Sequence, residues 1–398
     1  MVADRLYYTD AYRQAFTADV VDCAVVGERV EVTLSATAFY PTSGGQPHDL
    51  GVLGGRRVVD VIDHEDGRLI HVVDGPLDIG GHVDGAVDWS RRFDHMQQHT
   101  GQHVLSAAFE RVCQARTESF HLGTTAATID LHRQVTASEI AGAEQDANRV
   151  VWEDRDVRVR FVSADEAAAL PLRKESGRTG TLRLIDIADY DLSACGGTHV
   201  ARTGGIGLIA VTGWEKFKGG TRVEFRCGGR VLAQLHEWRD ALSATNRLLS
   251  VAPAELAPAI ERLQAENKAQ ARSARGLQEQ LATHVAAELV ESGERVGDRI
   301  VIARAMDGWD AAGLKAIAAG VAAHPGTAVA VFSTSVPALV VVARASDVAL
   351  DAGAVLKALV ARFGGKGGGK PDLAQGGGLT GDSAEIVAAA KALLAASR

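Results

Sequence analysis

The chain has 398 residues, which at about 150 residues per domain makes room for two to three domains. It is 46% hydrophobic and 23% charged, an ordinary globular composition that excludes long disorder, collagen-like repeats and small disulfide scaffolds. With 42 Lys+Arg against 50 Asp+Glu it carries a net charge of −8, so any nucleic acid would be held by local basic stripes and a shaped site, not by a general positive field. No apolar run approaches the length of a membrane helix. The start, MVADRLYYTD, lacks the basic and apolar regions of a secretory signal, so the expected compartment is the cytoplasm. The four cysteines Cys23, Cys113, Cys195 and Cys227 are widely spread, which fits a reduced compartment with at most one functional cysteine.

Residues 1–90 alternate apolar and polar positions in short runs (Val20–Val26, Val30–Leu34, Val58–Ile62, Leu69–Val73), punctuated by Gly, Asp and Pro. They predict antiparallel strands in a small barrel or sandwich. A Gly/Pro loop, residues 39–48, interrupts them. Asp94 is the expected N-cap of a strong helix, with Gln97 completing a capping box. Val104, Leu105, Ala108, Phe109 and Val112 then follow at helical spacing. Strands are expected at 117–131 and 156–162, a helix near 137–152, and short strands with Gly turns over 181–230. Residues 231–296 turn rich in Ala, Leu, Glu, Gln and Arg. Ile260, Leu263, Ala274, Leu277 and Leu281 fall at heptad-like steps, readable either as a coiled-coil seam or as a long connecting helix. Residues 297–398 alternate strand-like and Ala-rich helical runs, with a Gly-rich stretch at 364–378 and a closing helix at 383–396.

The sharpest signal is a pair of pairs, His99-Thr-Gly-Gln-His103 and Cys195-Gly-Gly-Thr-His199. On a helix, residues i and i+4 share a face, so two imidazoles can grip one ion. The Gly-Gly turn lets Cys195 and His199 fold toward a common point. Three nitrogens and one thiolate are a tetrahedral set that suits Zn²⁺. A closed four-ligand zinc is usually structural, whereas a hydrolytic one keeps a place for water or substrate. A loose ligand, five-coordination or a purely pocket-shaping metal would each reconcile the two. His95 extends the same helical face as a residue behind the ligands or a proton carrier.

These residues resemble the editing domain of alanyl-tRNA synthetases and the free-standing AlaX-type alanyl-tRNA editing proteins. The two ligand pairs match that family's motifs, FYPTSGGQP (39–47) looks like its Gly-rich loop, and SFHLG (119–123), TIDL (128–131) and KGGTRVEFRCGGR (218–230) look like its flanking segments. GGKGGGKPDLAQGGG (364–378) is similar to the C-terminal domain shared with DHH-type phosphoesterases. Neither an aminoacylation core nor a DHH motif is found, so the resemblance implies a long-form trans-editing enzyme that cannot charge tRNA itself. It implies deacylation of mischarged Ser-tRNA(Ala), extending to Gly-tRNA(Ala), with Zn²⁺ as cofactor. The expected architecture is α+β: a barrel-like domain with the Gly-rich loop (1–90), a zinc-binding editing domain (91–230), a long helical connector (231–296) and a C-terminal α/β domain for tRNA binding or dimerisation (297–398). A homodimer through the connector or the C-terminal domain is a further expectation.

A pocket for alanine excludes serine poorly, so a second site must hydrolyse the error and spare the cognate product. A polar group that pairs with the serine hydroxyl is left unpaired by alanine. Thr42 and Ser43 are the hydroxyls expected to do this. Gly44 and Gly45 would let the backbone approach the aminoacyl-adenosine, and Gln46 would hold a carbonyl or ribose hydroxyl. The basic stripe Lys216, Lys218, Arg222, Arg226 and Arg230, the group Arg173, Lys174, Arg178 and Arg183, and Lys366 and Lys370 in a backbone anion nest are the expected tRNA contacts. The alternatives are a zinc-containing tRNA-binding protein without hydrolysis, and an editor of another aminoacyl-tRNA such as Ser-tRNA(Thr).

Overall fold

The structure, a computed structural model, describes residues 3–174 and 180–396. The chain divides into two compact units, Met1–Thr245 and Asn246–Arg398. The architecture is mixed α+β.

The first unit opens with β1 (Asp4–Arg5), β2 (Ala15–Val26), β3 (Arg29–Leu34), β4 (Ala36–Thr37), β5 (Gly51–Leu53), β6 (Arg56–Asp63), β7 (Leu69–Val73) and β8 (His82–Val87). Six of them close a barrel in the order β2-β3-β7-β6-β5-β8, and every neighbouring pair is antiparallel. The alternating apolar residues expected to face inward do so, with Val20, Val32, Leu34, Val58 and Val61 buried around Phe16 and Phe39. Closure leaves no free strand edge, and a sheet this short gains by it.

One barrel residue is ionisable and fully enclosed. His71 of β7 donates from Nδ1 to the Val32 carbonyl at 3.2 Å and accepts at Nε2 from the Thr37 hydroxyl at 2.9 Å. Burial pushes its pKa down to about 4, against a smaller upward pull from the Val32 carbonyl. Between its ordinary value near 6.5 and 4, the unfolded chain binds a proton that the folded chain refuses. Stability is therefore intact above pH 6.5 and drains away as pH falls toward 4, by about 3 kcal/mol in all. Urea melts at pH 7 and pH 4.5 should show this loss, and His71→Gln should remove most of the pH dependence. An equally steep slope in that variant would assign the effect elsewhere.

Helix α1 (Trp89–Cys113) follows the barrel. It begins six residues before the expected start. Asp88 is the N-cap, its side chain accepting from the Arg91 N–H, while Asp94 binds Arg230 and Gln98 from inside the helix. Nearly every face of α1 is covered. β9 (Thr117–Leu122) and β10 (Ala127–Leu131), helix α2 (Ala137–Trp152), and later β14 (Ile209–Phe217) and β15 (Gly220–Cys227) share a core with it built on Val104, Leu105, Ala108 and Phe109. The four strands form a sheet in the order β14-β15-β10-β9. Thr136 and Glu139 form a reciprocal capping box at the start of α2. Between α2 and β14 lie β11 (Val157–Ser163), the short α3 (Ala164–Ala168), β12 (Thr181–Ile187) and β13 (Asp191–Ala194), which make a three-stranded sheet.

Residues 231–296 hold two helices, not one continuous connector. α4 (Gly229–Leu249) ends at Ser250, whose φ of 53° lies in the left-handed region, and α5 (Leu256–Glu291) starts after Pro253. The heptad positions Ile260, Leu263, Leu277 and Leu281 are exposed, while Ala282, Ala286 and Leu289 bury against α6 (Ala311–Ala322). The second unit continues as a six-stranded mixed sheet. Its strands are β16 (Glu294–Val296), β17 (Arg299–Met306), β18 (Thr327–Ser333), β19 (Ala338–Arg344), β20 (Lys366–Gly369) and β21 (Leu373–Leu379), in the order β16-β17-β18-β19-β21-β20. α6, α7 (Ala352–Phe363) and α8 (Ser383–Ala396) pack on it. The Gly-rich stretch expected to form an anion nest is the β20–β21 hairpin, with Lys366 opposite Gly377 and Gly369 opposite Ala374. Pairing commits many of its backbone N–H groups to the ladder. Among the described residues no helix is long and apolar enough to cross a membrane.

Candidate metal centre

The four expected ligands meet. His99 and His103 project from α1, and Cys195 and His199 from the turn after β13, with all four ligating atoms within 4.8 Å of one another. Cys195 Sγ lies 3.3 Å from His99 Nε2 and 3.4 Å from His199 Nε2. Bonds of 2.0–2.3 Å to one tetrahedral ion place ligand atoms about 3.3–3.8 Å apart, so the cluster has the dimensions of a metal site.

Each imidazole is held by its other nitrogen. His99 Nδ1 donates to Gln46 Oε1 at 2.8 Å, and His103 Nδ1 to Asp191 Oδ2 at 3.1 Å. His199 Nδ1 donates to Thr100 Oγ1 at 3.2 Å, whose own proton goes to the Met96 carbonyl. All three rings thus turn Nε2 inward, the atom that would meet a metal. Burial alone would raise the Cys195 thiol, but His99 and His199 with hydrogen bonds from His103 and His199 hold it well below its ordinary value. Asp191 opposes its own burial through His103 and Arg173 and is held down at about 2. The donor set and its support fit a borderline-soft divalent cation.

Of the two glycines in the second ligand pair, Gly197 is the one under steric demand. A Cβ on Gly197 would lie 2.2 Å from the His99 ring, so that position must be bare for the turn to close on α1. Arg183 braces the same turn, donating from Nη1 to the carbonyls of Cys195 at 2.7 Å and Gly197 at 2.9 Å.

The cluster opens onto a cleft of about 690 Å³, whose walls include Gly44, Gly45, Gln102, His103, Phe120 and Cys195. Gly45, at φ 83°, lies against the Phe120 ring, where a Cβ would come within 2.7 Å. Glu118, Arg173 and Lys174 also line the cleft, as does the half-exposed Phe161.

The structure also locates the other residues expected in this loop and in the basic stripes. Thr42, Ser43 and Gln46 do not line the cleft. Thr42 Oγ1 is bonded to His48 Nδ1 at 3.0 Å, which ties the loop to itself, and the Ser43 carbonyl accepts from the Tyr40 hydroxyl. Gln46 is fully buried, and besides accepting from His99 it exchanges hydrogen bonds with Thr198. Arg222 is paired with Asp130 and stacked 3.6 Å over Phe217, and Arg230 is paired with Asp94. Neither guanidinium is poised for phosphate. Lys216, Lys218, Lys366 and Lys370 are exposed. Arg173 pairs with Asp191, Arg183 is buried, and Arg178 lies outside the described residues. His95 is buried but does not line the cleft. Gln102 and Asp191 are the site residues that the sequence reading passed over. Gln102 stands three residues after His99 and so shares its helix face, a signal that was present in the motif itself.

Among known proteins, residues 182–224 match the threonyl and alanyl tRNA synthetase second additional domain, and residues 297–396 the DHHA1 domain. The chain is 31% identical over 390 residues to the alanyl-tRNA editing protein AlaX-L of Pyrococcus horikoshii, covering 94% of each. It is 31% identical over 301 residues to the alanyl-tRNA editing protein Aarsd1 of Mus musculus, covering 71% of this chain and 73% of that one. An alanine–tRNA ligase of Halorubrum lacusprofundi is 33% identical over 393 residues. That match takes in 96% of this chain but 42% of the ligase.

Proposed function

The chain belongs to the alanyl-tRNA editing proteins and is an aminoacyl-tRNA deacylase acting on mischarged tRNA(Ala); from that premise we propose that it removes serine from Ser-tRNA(Ala), and glycine from Gly-tRNA(Ala), by zinc-assisted hydrolysis of the ester. The observation that carries the reading is the convergence of His99, His103, Cys195 and His199 beside a cleft that His103 and Cys195 line and that is large enough for an aminoacyl-adenosine. These four residues would hold Zn²⁺, which when bound supplies Lewis-acid polarisation and a water of lowered pKa. Gln46 Oε1 and Asp191 Oδ2 hold the Nδ1 protons of His99 and His103, so the rings keep their orientation as substrate enters. Gly45 and Phe120, packed against each other, form the wall beside them. Lys174 sits on the cleft and would take the sugar-phosphate backbone of the acceptor end. Lys216, Lys218, Lys366 and Lys370 would contact tRNA phosphates elsewhere.

Purified protein given Ser-tRNA(Ala) and Ala-tRNA(Ala) should release serine about ten- to a hundredfold faster than alanine, the selectivity that one buried hydrogen bond can supply. Binding without release would make the chain a tRNA-binding protein. Release confined to another species such as Ser-tRNA(Thr) would move the substrate.

A further inference from the structure

Resting on the deacylase reading above, we propose that Gln102 is the residue by which this protein tells serine from alanine. Of the five hydroxyls of the cleft wall, three already donate within the protein and a fourth, that of Tyr8, accepts from Arg5. Thr117 Oγ1 donates to Ser106 Oγ, Ser119 Oγ to Asp130, and Ser193 Oγ to Asp191. Gln102 is different. It is only 2% exposed, it lines the cleft, and it sits between the ligands His99 and His103 on their side of α1. Its Nε2 donates to Ser106 Oγ at 2.8 Å, but its buried Oε1 has no hydrogen-bond partner among the described residues. Turning the amide over changes which end is unmatched, not that one is, because the Ser106 hydroxyl can serve either end.

A buried polar atom without a partner is costly, and native structures keep few of them. Here the missing partner is a ligand group. A serine side chain carries a hydroxyl that can donate to Oε1 or accept from Nε2. An alanine in the same place shuts water out and presents only a methyl, so the amide stays unmatched. Glycine offers nothing at this position, and its ester would be handled without help from Gln102.

The test is the ratio of kcat/KM for Ser-tRNA(Ala) to that for Gly-tRNA(Ala), measured on one preparation each of wild type, Gln102→Met and Gln102→Glu. Because both substrates meet the same protein, the ratio is independent of the fraction that is folded and metal-loaded. Gln102→Met keeps length and volume without a polar end, and the ratio should fall about ten- to a hundredfold. Gln102→Glu keeps an acceptor and should restore at least a third of the lost logarithm. An unchanged ratio in Gln102→Met, with serine still edited by the wild type, overturns the assignment alone. A wild type that releases neither amino acid overturns the deacylase reading and the assignment with it.

Discussion

Cys195→Ala is expected to abolish tight zinc binding and, with it, serine release. The thiolate is the one anionic donor in the set, and it lies within 3.4 Å of two imidazole nitrogens. Removing it leaves three neutral imidazoles in a buried site that then carries the full charge of the ion, with no fourth donor to close the tetrahedron. The loss should exceed that from changing a residue behind a ligand, which typically costs about 10- to 100-fold in metal affinity. Gln46→Leu supplies that reference, because Gln46 reaches the centre through His99 Nδ1 and through the backbone and hydroxyl of Thr198 and is not itself a ligand. Competition with a chromophoric chelator should order the affinities wild type, Gln46→Leu, Cys195→Ala, and single-turnover deacylation should follow the same order. Zinc affinity in Cys195→Ala equal to wild type would remove Cys195 from the ligands, and with it the tetrahedral set.

What the sequence made legible was local. The start of α2 could be read because Thr136 and Glu139 satisfy each other within one turn. The two ligand pairs could be read because a helical repeat and a Gly-Gly turn each confine two donors to a few residues. The start of α1 was misplaced for the same kind of reason. Asp88 and Asp94 are both plausible caps, and only the fold reveals that Asp94 is spent on Arg230, 136 residues away. The residues behind the ligands were illegible because their partners are remote. Gln46 reaches His99 across 53 positions, and Asp191 reaches His103 across 88. The basic stripe misled through sign alone. Counting Arg222 and Arg230 as free cations ignored Asp130 and Asp94, which neutralise them from other elements.

Asp49→Leu and Arg92→Met should each destabilise the first unit by about 3–5 kcal/mol, and the double variant by far less than their sum. Both side chains are completely buried. Arg92, on α1, donates from Nε to both oxygens of Asp49 at 3.1 and 3.0 Å and from Nη2 to Asp49 as well, while Nη1 reaches the Ala11 carbonyl. Asp49 also accepts from the Tyr40 N–H at 2.6 Å. Deleting either partner strands a charge in the interior, whereas deleting both substitutes apolar volume for a pair whose desolvation was never cheap. The location gives the pair a consequence beyond stability. Asp49 closes the Gly-rich loop three residues after Gln46, and Arg92 lies on α1 two turns before His99, so the bridge fixes the loop against the helix at the distance that Gln46 must span. The single variants should therefore bind zinc more weakly even under conditions where they remain folded, and the double variant should recover stability more completely than it recovers zinc affinity. Urea melts with chelator titrations on all four proteins decide it. Additive losses of stability would deny the coupling, and wild-type zinc affinity in both single variants would confine the bridge to holding the fold.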